Sequence, residues 1–187
     1  MKEINALVES SGGEFGYNDF GTIAHAYMEA AITGTSPNVP AVCYNGIKNS
    51  SQKKKIIDEI CKKMQSQFMQ TEIGKEALES EWHKAEYSFK SRIGSTILNG
   101  QIDLVYKNSN GGYTVVDYKT NQTIEPEIYL MQLACYKDAL SQMTGTAPEK
   151  IKCVLYYLRF GKSVDITELC DSVDIKNAVQ FQMEKQD

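Results

Sequence analysis

Two carboxylates and a lysine sit in an otherwise apolar stretch of this chain. Residues 100–120 read GQIDLVYKNSNGGYTVVDYKT. Asp103 lies between Ile102 and Leu104. Asp117 follows Tyr113, Thr114, Val115 and Val116, with Lys119 two residues on. Side chains alternate along a strand, so Asp117 and Lys119 project from one face. A strand this apolar is buried, and a buried carboxylate is costly unless it is paired or holds a metal. The link NSNGG at 108–112 is turn chemistry, so the two runs form a hairpin that can bring Asp103 and Asp117 together. Two carboxylates converging beside a lysine suit a hard cation, Mg2+ or Mn2+. The chemistry this predicts is metal-assisted phosphodiester hydrolysis. The ion would polarise the phosphate and make a water more acidic, and the lysine would orient that water or neutralise phosphoryl charge. A lone D-x-K in a strand is usually a salt-bridged pair, so the reading needs more than these three residues.

More residues follow in order. Gln132 and Tyr136 are four apart on a predicted helix and share a face that could look toward Lys119. Upstream, His25 and Glu29 share a face of another predicted helix. A histidine flanked by Ile23, Ala24 and Ala26 is ordinarily a packed core residue; the downstream aspartates turn His25 into a candidate ligand. Glu29 has the weaker case.

Gly100-x-Ile102-Asp103, then Asp117-Tyr118-Lys119-Thr120, then Gln132-x-x-x-Tyr136, resembles the PD-(D/E)XK nuclease superfamily, and most of all the RecB-type nuclease domain of helicase–nucleases. His25 matches the histidine of that family, and the resemblance spans roughly residues 20–158. It implies a restriction-endonuclease-like α/β core in the order α-βββ-α-β, with a mixed central sheet flanked by helices. It implies that His25, Asp103, Asp117 and the backbone carbonyl of Tyr118 hold Mg2+ or Mn2+. Lys119 would act on the water or the phosphoryl charge, Gln132 would position Lys119 or the phosphate, and Tyr136 would brace the site. The implied function is cleavage of DNA, exonuclease favoured over endonuclease, on single-stranded or unwound ends, beside a helicase domain or subunit. Glu86 is similar to the acidic residue that often precedes the strands in this superfamily, although an exposed strand glutamate is the simpler reading. The alternative is a catalytically silent nucleic-acid-binding or interaction module on the same fold.

At 187 residues the chain is expected to be a single domain, and 42% hydrophobic residues suffice for a core. No apolar run is long enough to span a membrane and the first residues lack the apolar centre of a signal peptide, so no membrane contact and a cytoplasmic location are expected. Cysteines at 43, 61, 135, 153 and 170 are odd in number and form no C-x-x-C, which predicts no iron–sulfur cluster and no zinc ribbon. Cys135 and Cys153 read as small buried hydrophobes. A net charge of −4 weighs mildly against a free-standing DNA binder, although local patches can serve, with Lys53, Lys54, Lys55, Lys62 and Lys63 as candidates. No Walker-type phosphate loop occurs.

Residues 1–18 read as a loose lead-in or a broken short helix. A helix starts near Asp19, its possible N-cap, and stops near Gly34. A helical insertion occupies 45–80, with an amphipathic helix over 51–69 and a second piece over 74–80. The core sheet and helix cover 81–158. Three strands form an antiparallel meander, the first of which, EWHKAEYSFKSRI, alternates imperfectly. A helix opened by Pro126 crosses to a last core strand, KIKCVLYYLRFG, placed parallel to its neighbour and buried on both faces. Residues 159–187 form a C-terminal appendage, with a short strand at 163–167 and a final helix from about 171 to 185.

Overall fold

The computed structural model describes residues 2–47 and 50–178. Helices α1 (Lys2–Ser10), α2 (Tyr17–Thr33), α3 (Ser51–Gln70) and α4 (Glu72–Glu79) precede strands β1 (His83–Ile93), β2 (Thr96–Lys107) and β3 (Tyr113–Lys119). Then come α5 (Leu130–Thr144), β4 (Ile151–Tyr157), β5 (Lys162–Asp165) and α6 (Thr167–Asp171). The five strands lie in chain order. All neighbours are antiparallel except β3 and β4, which pair in parallel through the α5 crossover. This is a mixed sheet flanked by helices, the restriction-endonuclease-like architecture that the sequence leads one to expect.

The alternation of β3 builds both layers at once. Val116 and Tyr118 face a core formed with α1, α2 and α3, while Val115 faces α5. Asp117 and Lys119, of the same parity as Val115, therefore point to the α5 side. β4 fits between with nearly every residue buried, as a strand covered on both faces must be.

The parity of β1 and β2 slips at one level. Leu104 and Ala85 pack with the α2 layer, whereas Ile102 and Tyr87 pack with the α5 layer. Strict alternation would keep each of these pairs of next-but-one neighbours on one face. The slip coincides with Glu86, which takes φ +49° and stands across from Asp103 between the pairs Ala85–Leu104 and Tyr87–Ile102. A non-glycine residue in left-handed backbone is a local strain that must be held by its surroundings. The imperfect alternation of β1 in the sequence is the trace of this kink.

Several details differ from the sequence reading. Of the two readings of the lead-in the short helix is the one found, not the loose segment: Ile4 and Leu7 of α1 are buried in the same core as α2 and α3. The cap of α2 is Gly16, and Asp19 sits at the third helical position, where its Oδ2 accepts the Gly16 N–H at 2.8 Å. Pro126 opens a single 3-10 turn, Pro126–Tyr129, that leads into α5. The C-terminal segment contributes β5 to the sheet edge, and Ile166 and Cys170 to the core beneath α5. The final helix, expected from about 171 to 185, does not start there: α6 ends at Asp171, the chain turns at 172–174 and is helical again from 175, and residues 179–187 lie outside the described residues.

Candidate active site

The middle of α2, interior positions of β1 and β2, the end of β3 and the start of α5 meet at the kink. Asp103 Oδ2 accepts the Tyr118 N–H at 2.7 Å, which ties its carboxylate to the β3 main chain. His25 lies across both: Nδ1 is 3.3 Å from Asp103 Oδ1 and Nε2 is 3.1 Å from the Tyr118 carbonyl oxygen. Glu86 completes the group, since ligand atoms of His25, Glu86 and Asp103 all lie within 4.8 Å of one another. His25 and Glu86 line a hollow of about 460 Å3 together with Thr22, Glu29 and Asn38.

The electrostatics of this group call for a cation. Burial, and then the charge of Asp103, push the Glu86 carboxyl up to about 7. Burial works against a charged His25, but its hydrogen bond to Asp103 and the neighbouring carboxylates raise its pKa above the ordinary value. Carboxylate oxygens, a carbonyl and one imidazole nitrogen form a donor set suited to Mg2+ or Mn2+.

A second group lies on the α5 side. Lys119 Nζ is 2.6 Å from Asp117 Oδ2, an ion pair rather than a well-directed hydrogen bond. It also donates to Gln132 Oε1 at 3.0 Å and stands 3.8 Å from the centroid of the Tyr129 ring. The Gln132 amide nitrogen donates to Asp117 Oδ1 at 3.1 Å and to the Tyr136 hydroxyl at 2.8 Å. Every hydrogen of that amide is thereby used, so its orientation is fixed by its neighbours. Asp117 is 2% exposed, and burial followed by the Asp103 charge lifts its carboxyl to about 6, against the pull of Lys119. Asp117 falls outside the His25–Glu86–Asp103 set, since both its oxygens are engaged from the α5 side.

The structure thus brings together Asp103, His25 and the Tyr118 carbonyl in one cluster, and Asp117, Lys119, Gln132 and Tyr136 in another. Glu86 is more than an exposed strand residue: the backbone kink turns it into the first cluster. Glu29 lines the hollow beside His25. Of the α3 lysines, Lys53 donates to Ser10, Lys54 lies over the Tyr44 ring, and Lys55 pairs with Glu59. Cys153 is buried, but Cys135 is only partly so.

A family model for the PD-(D/E)XK nuclease superfamily matches residues 3–185. The chain belongs to that superfamily. Among solved structures it is similar to a protein from Eubacterium rectale described as a "putative exonuclease", with a TM-score of 0.60 and 12% identity over 98% of this chain and 72% of that one. At this identity the likeness shows the fold. No curated protein matches the sequence. Among the described residues no helix is long and apolar enough to cross a membrane.

Proposed function

We propose that this nuclease-superfamily domain hydrolyses phosphodiester bonds of DNA with Mg2+ or Mn2+. The reading rests on one observation: a hard-donor cluster of His25, Glu86, Asp103 and the Tyr118 carbonyl adjoins a lysine held in place by Asp117 and Gln132. His25, Asp103 and the Tyr118 carbonyl, joined by Glu86, would hold the cation, and Asp117 adds its charge from the neighbouring strand. A divalent ion there supplies Lewis-acid polarisation of the phosphate and a more acidic water. Lys119 offers a cationic donor to that water or to the charge developing on the phosphoryl oxygens. Gln132, fixed by Tyr136 and Asp117, sets where the Lys119 ammonium stands. The Tyr129 ring flanks the ammonium without competing for its protons.

The same resemblance supports exonuclease action on single-stranded or unwound ends, a cytoplasmic setting, and service as the nuclease module of a RecB-type helicase–nuclease in DNA repair or recombination. Incubating the purified chain with end-labelled DNA and Mg2+ or Mn2+, beside its Asp117→Ala variant, tests the activity. The expected outcome is metal-dependent loss of label by the parent chain alone. DNA binding without cleavage by either protein would favour the silent binding module instead.

A further inference from the structure

A second polar hollow, of about 280 Å3, borders the loop that follows Lys119. Tyr17, Asn18, Thr120, Asn121, Gln122 and Arg159 line it, and Arg159 brings the one formal charge. The guanidinium lies beside two rings: its carbon is 5.2 Å from the Tyr17 ring centroid and 5.5 Å from that of Phe20. What it lacks is an anion. Arg159 takes part in none of the ion pairs among the described residues. Its Nε is buried without a hydrogen-bond partner, and its Nη1 contact with Asn5 is long, at 3.4 Å. A guanidinium has five donors in a planar fork that matches phosphate, and it is rarely buried unpaired.

The hollow is fixed relative to the candidate active site. The Leu158 N–H donates to the Lys119 carbonyl at 2.9 Å, so the residue before Arg159 is pinned to the lysine main chain. On the other side Thr120 abuts α2, with its Oγ1 3.3 Å from where a Gly21 Cβ would stand. Asn18 in the hollow and His25 in the cation cluster are seven residues apart on one face of α2, about 10 Å along its axis. Arg159 also borders a hollow with Glu3, Glu59 and Lys63, but its carboxylates and apolar floor of Ile56 and Ile60 do not suit an anion.

We propose that Arg159 receives a non-scissile phosphate of the strand being cut, in the hollow closed by Tyr17, Asn18 and the Thr120–Gln122 loop. The proposal rests on the nuclease reading above and gives it a direction, since the strand then runs along α2 from His25 toward Asn18. Such a contact is blind to base identity, strengthens binding, weakens with salt, and leaves the chemical step alone.

Two variants test it. Arg159→Gln removes the charge, and Gln122→Glu puts an opposing charge into the same hollow from an exposed position that carries no packing. Binding of a fluorescent single-stranded oligonucleotide is followed by anisotropy in EDTA between 50 and 200 mM salt, and cleavage is measured separately with Mg2+. Both variants should bind about tenfold more weakly at the lowest salt, as loss of one charged hydrogen-bonded contact implies. For Arg159→Gln the slope of log affinity against log salt should be shallower by about 0.7, one phosphate contact on a single strand. Its single-turnover rate at saturating DNA should match the parent. A methylphosphonate moved along the oligonucleotide should weaken the parent at one non-scissile linkage where Arg159→Gln is indifferent. Parent-like affinity and slope in both variants overturn the proposal, as does absence of parent binding. If Arg159→Gln does not fold, Gln122→Glu decides. An Arg159-dependent binder that never cleaves would sink the nuclease reading and keep the contact, while a cleaving enzyme indifferent to both changes would do the reverse.

Discussion

Lys119 holds its charge between a buried carboxylate, a glutamine carbonyl and a tyrosine face, and each of these neighbours fixes it differently. Lys119→Met keeps the length of the side chain and removes the ammonium. Single-turnover cleavage should slow by about 10²–10³, the order expected when one preorganised donor to a transition state is lost. Mn2+ should still bind in calorimetry, since His25, Glu86 and Asp103 remain. A variant that melts early but, while folded, cuts at the parental rate would make Lys119 merely a salt-bridge partner of Asp117. Acidity gives a second prediction. Asp117, lifted to about 6, and Glu86, lifted to about 7, bind protons more tightly in the folded chain than in the unfolded one. His25 is raised as well, so its stabilising charge is present below its ordinary pKa and is lost as pH rises through the folded value. In all three cases the folded state holds the extra proton, so stability falls as pH rises. The melting temperature in EDTA should therefore drop between pH 5 and pH 8. Glu86→Gln should flatten that drop, and Mg2+ should restore the parent at pH 8. A flat parent profile in EDTA would mean that the cluster is not strained by its own charge. Asp117 with Lys119 and Gln132 with Tyr136 could be picked out in the sequence by strand and helix periods, and Asp103 and His25 by the ordered pattern that resembles the superfamily. Glu86 matches the acidic residue of the superfamily but reads more simply as an exposed strand side chain, because its turn into the cluster depends on a backbone angle that no side-chain pattern encodes.

At the scale of elements, the glycine of the G-x-I-D run has a packing reason. Gly100 pairs with Phe89 across β1 and β2, and a Cβ there would stand 2.5 Å from the Phe89 ring. That ring packs edge-on against Tyr136, 5.5 Å between centroids, and the Tyr136 hydroxyl accepts from Gln132. Crowding Phe89 therefore reaches the lysine through two side chains. Gly100→Ala should cost about 1–3 kcal/mol by overpacking, read by urea unfolding, and should lower cleavage while leaving Mn2+ affinity near normal. Adding Phe89→Leu should recover part of the stability. Unchanged stability and rate in Gly100→Ala would show that the ring moves away freely. The meander, the α5 crossover and the parallel β3–β4 pair were legible because hydrophobic period and connection length dictate them. The helix α1 was legible only as one of two readings: its two buried side chains, Ile4 and Leu7, are too few in a polar run to decide for a helix, and packing into the core with α2 and α3 decides it.

The whole molecule divides its site between two kinds of contact. Lys119 and Gln132 are 13 residues apart in the chain, whereas His25 and Tyr118 are 93 apart. The acidic total charge belongs to the same picture, because the cationic groups that matter are few and individually placed: Lys119 beside Asp117, and Arg159 against Tyr17 and Phe20. By the scaling of loop entropy with length, closing the longer loop costs roughly 2 kcal/mol more than closing the shorter one. His25 is thus the member of the cation group that a loosening chain releases first, while Glu86, Asp103, Tyr118 and the lysine half stay with the meander and its crossover. Trp82, the single tryptophan, packs against Tyr87 and Tyr113 within that meander and reports on it alone. Under rising urea, Mn2+ affinity should fade before the Trp82 fluorescence changes, and coincident loss of the two signals would refute the ordering. On the nuclease reading, a partly opened chain of this kind would still hold a DNA strand without cutting it, so the long loop would act as a safety catch on hydrolysis.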